Sequence, residues 1–202
     1  MINRIVSEIR SALENDLFIV ALQAALTLPD ICGKVAFPNE NTSSRYKKWY
    51  DEEIGEYEHA PNNTHMPYLS GEVVYNLRCA LLHEGNPNVE KEKTDIGEFT
   101  LVLQKAESKY STTCDVSGES TKNDNEIVRT YRVNVRRICM ILCLVAEEYY
   151  NQNKEKFSFC YHIIDWDEEM NKYPHLADSN TFDSISSLVT GAHEEKTENE
   201  QT

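Results

Sequence analysis

Residues 70–87 read SGEVVYNLRCALLHEGNP, and the reading of this stretch decides how the rest of the chain is understood. Ser70 is a helix N-cap residue type. Val73, Val74, Leu77, Ala80 and Leu81 recur at helical spacing, which predicts a helix from Gly71 to about Glu84 with one buried stripe. Gly85-Asn86-Pro87 stops it, because Gly suits the left-handed position after a helix and Pro cannot continue one. Arg78 stands among apolar residues in mid-helix, and His83 stands in the last turn. Five residues along an α-helix amount to about 140° of rotation and about 7.5 Å of rise, so the two side chains do not stack on one face. A long Arg can still swing toward a His at a helix end that faces a cleft.

Upstream, Ile2, Ile5, Ile9, Leu13, Leu17, Val20, Ala24 and Leu28 step by three or four, predicting one helix over 2–28. Pro29 ends or kinks it, and Cys32-Gly33 closes a short turn. PNENTSS at 38–44 is a loop, with Thr42 or Ser43 as the N-cap of a second helix running to about Tyr57. Tyr46, Trp49, Tyr50 and Ile54 make its apolar face, while Lys47, Lys48, Asp51 and Glu52 face water. Residues 58–67 form a polar loop containing proline.

Downstream the period changes. Phe99, Leu101 and Leu103 alternate with their neighbours, Tyr110, Thr112 and Cys114 do so more weakly, and Ile127–Val135 alternates again. SGESTKNDNE at 117–126 reads as a polar loop. Two or three short strands, in a hairpin or small sheet over about 94–135, therefore precede the last long helix, Arg136 to about Asn151. ICMILCLVA at 138–146 is apolar all round, which makes that helix central. Residues 157–166 fit a strand or a helix equally. From about Asp178 large apolar residues are few apart from 182–189. The reading is one domain over 1–190 and an acidic, flexible tail over 191–202.

Net charge is −14, and removing the tail leaves −11, so the body of the chain is acidic as well. Such a chain repels nucleic-acid backbones at long range, which disfavours a strong nonspecific DNA or RNA binder while leaving room for a local basic patch. Six cysteines without a C-x-x-C pair read as reduced thiols. Acidic residues precede the apolar run at 17–28 and no run approaches about 18 apolar residues, so neither a signal peptide nor a membrane span is expected. The expected location is cytoplasmic.

The Arg78–His83 pair suits phosphate chemistry. Arg offers a permanent planar fork to phosphate oxygens, and His exchanges protons near neutral pH. Together they suit RNA cleavage without a metal, His83 moving a proton at the 2′-hydroxyl or the leaving oxygen and Arg78 steadying charge on phosphorus. The plain structural alternative has Arg78 paired with a carboxylate and His83 capping the helix.

The R-x4-H run near a helix end, followed by Gly, resembles the HEPN superfamily (higher eukaryotes and prokaryotes nucleotide-binding). The resemblance covers residues 1–90 and the helix at 136–151, with the strands as an insertion, and it carries over two motif residues, Arg78 and His83. The position after the Arg, often Asn, Asp or His in the family, is Cys79 here. The resemblance implies a bundle of four or five helices, usually dimeric, in which Arg and His of two protomers meet at the interface. It implies a metal-independent ribonuclease, in a toxin or phage-defence setting. The alternative it allows is a non-catalytic HEPN-like module that binds a partner protein or a nucleotide.

Arg129, Arg132, Arg136 and Arg137 form the one cationic cluster. The first three would share a face if helical and are candidates for RNA or an acidic partner, against the alternative of pairing with the chain's own carboxylates. No metal site or cofactor is expected. His59 and His65 share a loop without a nearby Cys, His162, His175 and His193 lack ligand spacing, and the acidic run around Trp166 reads as a solvated helix start. Neither a glycine-rich phosphate loop nor a Gly-x-Ser-x-Gly elbow is present.

Overall fold

In the computed structural model of the chain, residues 1–59, 66–105, 107–109, 114–121, 127–157 and 165–172 are described. The expectations for 110–113, 182–189, the tail, His65, His162, His175 and His193 lie outside them. The chain divides into two compact units, Met1–Ser158 and Phe159–Thr202. The first is mainly helical. Its elements are α1 (Ile2–Glu14), α2 (Phe18–Ala25), α3 (Leu28–Ala36), α4 (Thr42–Glu53), α5 (Gly71–Cys79), α6 (Lys91–Thr94), β1 (Glu98–Val102), β2 (Val116–Thr121), β3 (Ile127–Asn134) and α7 (Val135–Gln152). In the second unit the described residues form α8 (Trp166–Lys172). The Glu168 N–H donates to Asp165 Oδ1 at 3.2 Å, so the acidic run does begin a helix.

The helix expected over 2–28 is broken. Asn15 Nδ2 donates to the Ser11 carbonyl, and Asp16 takes a left-handed φ of 57°. Asn and Asp tolerate that conformation and favour local side-chain bonds over helix. Pro29 starts α3 instead of ending a helix, since in the first turn its missing N–H would have no partner anyway. Cys32 and Gly33 lie inside α3, not in a turn. A Cβ on Gly33 would come within 2.6 Å of the Arg45 carbonyl oxygen, so α3 packs on α4 backbone to backbone there. Asn41 caps α4, accepting from the Ser44 N–H at 2.9 Å, in place of Thr42 or Ser43. The helix stops at Glu53, and a short 3-10 turn follows at Gly55–Tyr57. The 19 residues Phe18–Ala36 are long and apolar enough on average to cross a membrane by length and composition, with Gln23, Asp30 and Lys34 interrupting the apolar run. Here they form two helices with half the stretch buried in the bundle.

The sheet has order β1-β3-β2, with β1 parallel and β2 antiparallel to β3. It is mixed, not a simple hairpin. All of β2 but Val116 falls in residues expected as polar loop; it is an edge strand with little buried surface, so it carries no apolar alternation to read. Phe99 on β1 lies opposite Tyr131 on β3, their rings stacked 6.3 Å apart. Asn134 ends the sheet and caps α7 through the Arg137 N–H.

α7 runs along α1, α2 and α3 and fills the core with Ile138, Cys139, Leu142, Cys143 and Ala146. It is not buried all round: Leu144 is 55% exposed, and Ile141 and Val145 are half-buried. Arg10 of α1 clamps Glu147 of α7 with two hydrogen bonds, at 3.2 and 2.5 Å. The Tyr46, Trp49, Tyr50 and Ile54 face of α4 is fully buried, as its spacing predicts. Asp51, expected in water, is half-buried and accepts the Gly71 N–H at 2.6 Å, which seats the start of α5. A Cβ at Gly71 would meet the Lys47 carbonyl at 2.4 Å, so only Gly permits that approach.

Candidate active site

α5 starts where the sequence predicts, with Ser70 Oγ accepting from the Val73 N–H at 3.3 Å. Val73, Val74, Leu77 and Leu81 are buried. That fixes the rotation of α5 and turns Arg78 toward α3. There Asp30 Oδ2 accepts from Arg78 Nε at 3.1 Å and lies 2.9 Å from Nη2. Both side chains are 18% exposed. Burial works against the charge on Arg78, but Asp30 outweighs it and holds the guanidinium above its ordinary pKa. Asp30 Oδ1 is buried without a hydrogen-bond partner among the described residues. Tyr46, wholly buried, walls the pair and donates its hydroxyl to the Leu26 carbonyl at 3.1 Å.

The helix does not continue as α. Ala80–Glu84 is a π turn, closed by Gly85 at a left-handed φ of 66°, and the Asn86 N–H reaches back to the Ala80 carbonyl at 3.1 Å. A π turn pairs residue i with i+5, so it carries His83 round toward Arg78. Arg78 Nη1 and His83 Nε2 are 2.9 Å apart. The expectation that the two diverge by about 140° holds for an α-helix; the π turn overturns it. The guanidinium has only donors, so in this contact His83 Nε2 is the acceptor. His83 is exposed, while the Arg78 side chain is mostly buried.

The cationic cluster does not form one face. Arg129 and Arg132 lie on a strand, three residues apart, and so point to opposite sides. Arg129 pairs with Asp95 and with Glu119, the latter at 2.9 Å. Arg136 donates to the Leu13 and Gln104 carbonyls and to Asp16, over the Phe18 ring. Arg137 bridges Asp115 at 2.8 Å and Glu58 at 2.7 Å. Three of the four are thus engaged with the chain's own acceptors, and Arg132 is exposed without an ion pair among the described residues. No group of three or more His, Cys, Asp or Glu is placed to hold a metal ion among the described residues.

Asp30 is the site residue that sequence reading missed. It lies 48 positions from Arg78, and its only local signal is an acid in the first turn of a helix that Pro29 opens. Asp30→Asn should cost about 1–3 kcal/mol, below the range for breaking a fully buried pair because this one retains some solvent. Urea denaturation measures it, and a cost under about 0.5 kcal/mol would show that Asp30 does not anchor Arg78. Compared with known proteins by family model, by curated sequence and by solved structure, the chain matches none.

Proposed function

We propose that this chain is a HEPN-like, metal-independent endoribonuclease in a toxin or phage-defence setting, working as a homodimer with Arg78 and His83 at the shared cleft. The observation that carries the reading is the 2.9 Å contact between Arg78 Nη1 and His83 Nε2, made by a helix that departs from α geometry. π turns occur frequently at functional sites. Asp30 fixes the fork, and the exposed imidazole lies at its open end.

In the proposed reaction an RNA phosphate draws Arg78 Nη1 off His83. The freed Nε2 takes the 2′-hydroxyl proton, the 2′-oxygen bonds to phosphorus, and the bond from phosphorus to the 5′-oxygen breaks. A second acid, the partner copy's imidazole or a water, gives that oxygen its proton. The products are a 2′,3′-cyclic phosphate and a 5′-hydroxyl. Arg78 supports the charge on the phosphoryl oxygens through the transfer.

A second reading is favoured by one specific contact. Asp30 already holds two nitrogens of Arg78, which bolts α5 to α3 and fits a non-catalytic HEPN-like module for a partner protein or nucleotide. Incubating purified chain with a mixed RNA pool, with and without a chelator, separates the two. The ribonuclease reading expects cleavage in both, with cyclic-phosphate ends, and a dimer by sedimentation at micromolar concentration. Intact RNA would remove its support in favour of the binding module, and a strict monomer would remove the shared cleft.

A further inference from the structure

Beside the Arg78–His83 pair, α4, α5, the π turn and the segment up to Lys93 enclose a pocket of about 420 Å³. It is within the size range of small-ligand clefts. Cys79 and Glu84, the chain neighbours of Arg78 and His83, both line it. Adjacent Cα atoms are about 3.8 Å apart, so a nucleotide with its phosphate at the pair brings a base to the pocket mouth.

The lining is wrong for a phosphate and right for a base. Its two lysines are neutralised, Lys47 by Glu72 at 2.5 Å and Lys93 by Glu90 at 2.8 Å. Glu84 has no ion pair among the described residues, which leaves the pocket with surplus negative charge. Asn76 is 6% exposed and spends its amide oxygen on the Glu90 N–H at 3.2 Å. Its Nδ2 is the donor half of the same amide. Tyr75 supplies an aromatic wall, steadied edge-on by Tyr46 at 5.2 Å. An unneutralised carboxylate accepts N–H groups, an amide nitrogen donates to a carbonyl, and a ring packs against a ring. Guanine offers the complement of all three: adjacent N–H donors on its pairing edge, a carbonyl oxygen and a flat face.

We propose that this pocket reads a guanine base of a single RNA strand next to the phosphate held at Arg78 and His83, with Glu84 as the residue that sets the preference. The proposal rests on the ribonuclease reading for its substrate class, and its test reads binding, so the two fail separately. A good two-bond base contact discriminates by roughly 1–3 kcal/mol, which is about 5- to 150-fold.

The experiment is fluorescence anisotropy with 2′-O-methyl oligonucleotides, which lack the attacking hydroxyl and cannot be cut. Wild type should bind a guanine-containing oligomer at least about fivefold tighter than oligouridine. Glu84→Gln, a surface change that leaves the core untouched, should erase the preference, and His83→Ala should keep it. Equal affinity for both oligomers, no binding of either, or a preference that survives Glu84→Gln would overturn the proposal. Competition by guanosine monophosphate at the oligomer's own affinity would overturn an RNA strand as the occupant in favour of a free nucleotide. A base preference in a chain that cuts no RNA would sink the ribonuclease and leave the pocket standing. RNA cut without regard to guanine, by a chain that binds both oligomers alike, would do the reverse.

Discussion

His83→Ala should lower RNA cleavage by about 10²–10⁴-fold, the usual contribution of a positioned proton-transfer group. The imidazole is exposed and meets Arg78, so its removal touches little packing and the circular dichroism spectrum should not change. Arg78→Lys should fail comparably. Lys keeps the charge, but one ammonium cannot hold Asp30, meet His83 and grip a phosphate in the plane of a fork. The two residues act as a unit, so the double variant should be little worse than either single one. Chelator should change none of these rates. Wild-type cleavage that His83→Ala matches would make the π turn structural and put the site elsewhere.

Leu142→Ala should cost about 2–5 kcal/mol. Leu142 is fully buried on α7, where that helix packs on α1, α2 and α3. Truncation there leaves a void that none of these helices can fill without shifting. Leu144, two positions on and 55% exposed, is the matched control and should change stability by no more than about 0.5 kcal/mol. Urea denaturation of both variants measures the contrast. Equal costs, or a cost for Leu142→Ala below about 0.5 kcal/mol, would place α7 outside the core.

Elements with one buried face were legible in the sequence. The inward faces of α4 and α5, the Ser70 cap, the left-handed Gly85 and the strand β3 all follow from period and punctuation. What failed were positions where side-chain type and backbone state part company. The break at Asn15-Asp16 hides because Leu13 and Leu17 keep helical spacing across it, and β2 hides because an edge strand needs no apolar pattern. Pro29 was ambiguous because one residue both ends helices and opens them. At the candidate site Arg78 and His83 were visible as residues, yet their meeting was not. It depends on a π turn at Ala80–Glu84 and on Asp30 from a distant helix, neither of which has a local signature.

The grip on Arg78 has a consequence in donor valence. A guanidinium carries five N–H bonds. Asp30 Oδ2 accepts from Nε and lies 2.9 Å from Nη2, and His83 Nε2 meets Nη1. Nε–H is thereby spent on Asp30, and the donors still open to a ligand lie on the terminal nitrogens. Two parallel bonds are what a tetrahedral oxyanion accepts from arginine. The anchor that ties α5 to α3 thus grips the guanidinium by its Nε side and presents its terminal nitrogens outward, the end from which such a pair of bonds is made.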